Sequence, residues 1–154
     1  MRHTLSIIAM LGLAACTSPA ERLSGERLTT GLAAATARGA GTRVALTEFA
    51  GRGWRRMAVF GPYTAPADIA RCLGPAAAEE THDIQSRDDA NLLVFEFPDG
   101  KVEGVAVPRS AGDFAPEALW RTYSPDQAVF LVRRPPDGAS GNLVPADSSA
   151  NSCS

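Results

Sequence analysis

Four side chains in the middle of the chain have the chemistry to act on another molecule: Tyr63, His82, Arg109 and Asp113. Tyr63 lies in "FGPYT", and Arg109 and Asp113 lie in "PRSAGDF". Each stretch follows an apolar run that reads as a strand. The two loops can therefore share one rim and pool a phenol, a guanidinium and a carboxylate. Tyr and Arg together offer large contact area and directed hydrogen bonds, the combination that dominates recognition surfaces. A plainer account weighs more at this stage: Arg109 and Asp113 pair locally, Tyr63 covers the edge of the core, and turn chemistry explains the residue types. His82 sits beside Glu79, Glu80 and Asp83. With no second His and no Cys close by, this set is short of a metal's ligand count. Ser86 and Ser110 have no nucleophile-elbow context and nothing orients His82 as a base. No phosphate-binding loop or dinucleotide fingerprint occurs. The adjacent pairs Glu79–Glu80 and Asp88–Asp89 read as solvated surface, because an acid/base pair needs a cleft to separate its pKa values. No catalytic residue, cofactor or metal is expected.

Cysteine is the other reactive type, at positions 16, 72 and 153. Cys16 ends an N-terminal segment unlike the rest of the chain. Arg2 and His3 precede an apolar run from Leu5 to Leu13, too short to span a bilayer but of signal-peptide length. The run closes on "LAAC", which resembles the lipobox of bacterial lipoproteins. That resemblance implies removal of residues 1–15, acylation of Cys16 with several chains such as palmitate, and a stable tether. With Thr17 rather than Asp after the Cys, it also implies delivery to the outer membrane, the domain facing the periplasm. Residues 16–23 would be the lipidated Cys and a linker. An exported setting permits a disulfide between Cys72 and Cys153. The alternative, given more weight, is a buried Cys72 and a free thiol on the tail, because the tail is not pre-placed within the ~4–7 Å Cα separation a bridge needs.

The precursor has 15 basic and 17 acidic residues; loss of Arg2 with the leader leaves 14 against 17, a net of −3. No basic patch of the kind nucleic acid requires is present. Arg55–Arg56 and Arg133–Arg134 read as solvating, edge-protecting pairs.

The elements that must position the candidate side chains follow from periodicity. Leu28, Leu32 and Ala35 recur at helical spacing and predict a helix over 24–38. Alternation predicts strands over 42–49 and 54–60, joined by the short turn "AGRG" as an antiparallel hairpin. Thr64 as N-cap, Pro66 in the first turn, Asp68 near the N-terminus and Gly74–Pro75 as a stop predict a helix over 64–73. "NLLVFEF", 91–97, and "KVEGVAV", 101–107, flank "PDG" and predict a second hairpin. Pro116–Trp120 allows a short turn, and 127–134 is the last strand. Residues 135–154 are rich in Gly, Ser and Pro, with only Leu143 and Val144 as large apolar groups; they read as a disordered tail.

The expected architecture is an α+β domain over 24–134, with an antiparallel sheet of about five strands and one or two helices packed on one face. Its expected core is Leu28, Val44, Leu46, Val59, Ile69, Leu73, Leu93, Phe95, Val105, Val107, Phe130 and Val132. The pattern "W…VFGPYT…I…LG", followed by "NLLVFEFPDGKV" and "PRSAGDF", resembles a family of uncharacterised small bacterial lipoproteins over Trp54 to Phe114. The resemblance implies export and lipidation, and no activity. Two functions follow as expectations. The first is a non-catalytic binding or accessory module, anchored to the membrane by its lipid and paired with an envelope protein. The second is an envelope hydrolase or small-ligand-binding protein using Tyr63, Arg109, Asp113 and His82.

Overall fold

Ser24 starts the fold by accepting a hydrogen bond at its Oγ from the Arg27 backbone N–H at 3.2 Å, which caps helix α1, Gly25–Ala37. The computed structural model describes residues 23–134 and 142–153; Cys16 and the leader lie outside the described residues. Leu28, Leu32 and Ala35 form the buried stripe of α1, as the spacing predicts. Gly31 weakens the helix by propensity, and packing explains it. A Cβ there would stand 2.3 Å from the ring of Phe49. The glycine lets that ring lie against the helix.

The predicted strand over 42–49 stops early. β1 spans Arg43–Ala45, and a one-turn helix α2, Thr47–Ala50, follows. Leu46 explains the change: its carbonyl accepts from the backbone N–H groups of Phe49 and Ala50 at 3.0 and 2.8 Å, closing a helical turn. This turn redirects the chain and removes the predicted hairpin. β1 instead pairs antiparallel with β7, Val129–Arg133, matching Val44 with Phe130. β2, Arg56–Phe60, joins a different sheet.

The hairpin of β3, Ala90–Glu96, and β4, Val102–Pro108, forms as predicted, with Leu93 opposite Val105. Gly100 at φ 85° supplies the left-handed turn residue. β2 lies antiparallel on the other side of β3, matching Val59 with Leu93. β6, Arg121–Tyr123, and β9, Asn151–Ser152, complete a five-stranded antiparallel sheet in the order β4-β3-β2-β6-β9. A second sheet has the order β1-β7-β8-β5, with β5 at Asp113–Phe114 and β8 at Asn142–Pro145.

The fold is the expected α+β class, with a second sheet and helices on both faces of the five-stranded sheet. Leu93, Phe95, Met57 and Val59 pack with α1 and the second sheet. Leu92, Val94, Ala58 and Phe60 pack on the opposite face with Ile69 and Leu73 of helix α3, Pro66–Leu73. The predicted core residues are all buried except Val105, which is half-buried beside Gly25. α3 begins one residue after its cap Ala65, so Thr64 is not the cap. The Thr64 hydroxyl instead donates to the Gly61 carbonyl at 2.8 Å and braces the preceding turn.

Residues 142–153 overturn the expectation of a disordered tail; 135–141 and Ser154 lie outside the described residues. Leu143 is fully buried, and β8 pairs with both β7 and β5. The tail need not build a core of its own, because it adds strands to sheets already present. Cys153 is disulfide-bonded to Cys72 with a Cα separation of 4.8 Å. This corrects the weighting toward free thiols: pairing of β9 with β6 supplies the placement that a loose tail lacks. Among the described residues, no helix is long and apolar enough to cross a membrane.

Candidate functional site

β2 and β4 each run antiparallel to β3, so they point the same way and end on one rim. The turn Gly61–Tyr63 leaves β2 there, and the 109–113 loop leaves β4. Topology thus brings both predicted loops to one end of the sheet. Between them lies a cleft of about 300 Å³ lined by Pro62, Asn91, Arg109, Asp113, Phe114 and Leu119, among others.

Arg109 and Asp113 form a bidentate pair. Nε donates to Oδ1 and Nη2 donates to Oδ2, each at 2.8 Å. Nη1 reaches the Asp88 carbonyl at 3.2 Å. Donating these hydrogen bonds to Asp113 raises the Arg109 pKa further, against the smaller opposing effect of burial. Asn91 adds a third contact, its Nδ2 donating to Asp113 Oδ1 at 3.3 Å. Asn91 is 1% exposed and shares the face of β3 that carries Leu93 and Phe95.

Tyr63 does not cover the core edge. It is 64% exposed, and its hydroxyl makes no hydrogen bond among the described residues. Its backbone has φ 61°, a left-handed conformation that disfavours a bulky side chain. A hydrogen bond from its N–H to the Ile84 carbonyl at 3.0 Å holds it there. Trp120 matches it in both respects, at 39% exposed and φ 59°. The Trp120 ring packs edge-on to Phe60 with centroids 5.5 Å apart. The Trp120 backbone N–H donates to the Val59 carbonyl at 3.0 Å, and the Trp120 carbonyl accepts from the Cys153 N–H at 2.8 Å. Pro62 and Leu119, the chain neighbours of these two aromatics, both line the cleft.

Two members of this rim escape the sequence reading. Asn91 carries a faint signal, a lone amide in an otherwise apolar strand. Trp120 carries none, since it reads only as the end of a short turn over 116–120.

His82 stands apart. Its Nε2 donates to the Gly104 carbonyl at 2.9 Å, and the Gly104 N–H donates to Glu80 Oε2 at 3.2 Å. Both side chains face a separate hollow of about 440 Å³ with Leu23 and Glu103 on its walls. His82 therefore does not join Arg109 and Asp113. No group of three His, Cys, Asp or Glu side chains able to hold a metal occurs among the described residues. Arg55 and Arg56 converge on Glu96 rather than only facing solvent. No protein-family model, curated protein or solved structure matches this chain.

Proposed function

We propose that the chain is a lipoprotein of the cell envelope, tethered to the outer membrane through Cys16, whose periplasmic domain binds a partner rather than catalysing a reaction. The observation that carries the binding reading is the state of the rim. Its ionisable groups are consumed by one another in the Arg109–Asp113 fork, whereas two large aromatic rings stay exposed on backbone held in a costly conformation. Such strain is of order 1–3 kcal/mol per residue and persists where a surface is kept for use. Exposed aromatics beside a small cleft are the anchors of recognition surfaces. The compartment is supported by the Cys72–Cys153 bond, which lasts in oxidising surroundings. The "LAAC" leader and the likeness to small bacterial lipoproteins support the tether.

Two experiments test the reading. Cys16→Ser should move the protein from the membrane to the soluble fraction, and an unchanged membrane fraction rejects the anchor. Crosslinking in intact envelopes should capture a partner with the parent chain and lose it with Tyr63→Gly. Equal capture by both rejects the rim as the binding surface.

A further inference from the structure

We propose that the cleft takes a short extended segment of a partner protein, bearing a basic residue, as an added strand on the free edge of β5. The inference rests on the binding role proposed above. β5 ends the second sheet, whose order is β1-β7-β8-β5, so only its β8 side is paired. The phase of that pairing decides which groups are left over. Phe114 stands opposite Leu143, and the Leu143 carbonyl accepts from the Ala115 N–H at 3.0 Å. In a parallel ladder with this phase the bonds to Leu143 come from the two neighbours of Phe114. The N–H and carbonyl of Phe114 itself therefore point away from β8, and no strand pairs with them there. The cleft lies on that side: its walls include Phe114, Asn91, Pro62 and Leu119, and no described residue of β8.

Other edge groups in this fold are covered. On β4 the N–H and carbonyl of Gly104 are taken by Glu80 and His82. The chemistry that matches an uncovered N–H and carbonyl on a strand is another strand. One residue of an extended peptide donates its N–H to the Phe114 carbonyl and accepts from the Phe114 N–H. Charge narrows the segment further. Arg87 pairs with Asp89 and Arg109 with Asp113, whereas Asp88 has an exposed side chain and no ion pair among the described residues. The Asp88 carbonyl accepts from Arg109 Nη1 at 3.2 Å, so this excess negative charge stands beside the fork. A Lys or Arg in the segment complements it. The cleft, at about 300 Å³, is at the small end for ligand sites. It admits a short stretch, and the exposed rings of Tyr63 and Trp120, next in the chain to Pro62 and Leu119, receive its apolar side chains.

The test is amide NMR on the full chain in detergent. It is titrated with acetyl-Ala-Leu-Lys-amide, its tri-N-methyl analogue and acetyl-Ala-Leu-Glu-amide. The first peptide should shift the Phe114 amide proton downfield. N-methylation removes the peptide's donors and should weaken binding about fivefold or more. The Glu peptide should bind about threefold more weakly than the Lys peptide, and Asp88→Asn should abolish that difference. Tyr63→Gly should weaken the Lys peptide about threefold, the ring lying outside the core. An unmoved Phe114 amide at saturation overturns the proposal, as does equal binding of the N-methylated peptide. A Lys–Glu difference that is absent, or that survives Asp88→Asn, overturns the basic residue. A Phe114 amide that shifts with protein concentration alone makes the occupant a second copy of the chain and overturns the separate partner. A Tyr63-dependent partner captured in envelopes, alongside inert peptides, overturns strand addition and leaves the binding role standing.

Discussion

Two hollows in this domain are built from similar residue types and spend them differently. In the hollow around Gly104, His82 and Glu80 are turned onto the carbonyl and N–H of one residue of β4. β4 is an edge strand, and unpaired edge groups invite pairing with another chain. The two side chains cap that edge, so their polarity is consumed by the fold. In the cleft around Asn91, Arg109 and Asp113 likewise satisfy each other, yet two exposed aromatics, Tyr63 and Trp120, are left over beside it. The comparison shows that a His flanked by acids is no guide to function by itself. What distinguishes the second hollow is the aromatic surface remaining after the fold has taken its share.

The strongest way to break this contrast is through the disulfide. Cys153→Ser opens a loop of 81-residue separation, for which chain entropy predicts a loss of roughly 4 kcal/mol. Urea unfolding with and without reductant should show that loss in the parent chain and no reductant effect in the variant. Because the Cys153 N–H holds Trp120, ligand binding should suffer as well. The next largest effect lies in the capped edge. A Cβ on Gly104 would stand 2.4 Å from the Glu80 carbonyl oxygen, a backbone atom that cannot step aside. Gly104→Ala should cost about 2 kcal/mol in a denaturant titration, with partner capture per folded molecule unchanged. Tyr63→Gly should do the reverse. Relief of the left-handed backbone at φ 61° should raise stability by about 1 kcal/mol while binding falls. A variant that loses stability would place the ring in the core and remove the contrast.

The smallest effect is one of pH, at the end of β3 away from Asn91. Burial disfavours the charge on Glu96, but hydrogen bonds from Arg56 and Arg55, with their positive charge, together outweigh it and lower its pKa below 4.5. The folded pKa is depressed, so this stabilisation is complete above the unfolded value and is lost as pH falls through the folded one. Stability should therefore decline below about pH 4.5, and Glu96→Gln should flatten that part of the profile.

Legibility in the sequence followed the range of the interactions. The β3–β4 hairpin was readable because its turn and both strands sit within twenty residues. α3 was readable because its start and stop signals, Pro66, Asp68 and Gly74, lie within nine residues. The β1–β2 hairpin was misread because a single turn of helix at 47–50 is too short to show a period, yet long enough to send the chain to another sheet. The tail was misread because Leu143 and Cys153 are stabilised by β5 and by Cys72, partners far away in sequence. The loops bearing Tyr63, Arg109 and Asp113 could be assigned to one rim by strand direction. Asn91 and Trp120 could not, since what matters about them is the contact one makes with Asp113, 22 residues away, and the exposure the other retains.

β3 is buried along its whole length, with Leu92 and Leu93 in different hydrophobic clusters despite being adjacent. The five-stranded sheet is in effect a partition between two interiors. Leu92→Ala and Leu93→Ala would each empty a different room, and neither cavity could be refilled by compensating for the other. Changes behind α3 can therefore accumulate without altering the packing behind α1. A lineage could remodel one side of this domain while keeping the other side, and the Asn91 end of the wall, unchanged.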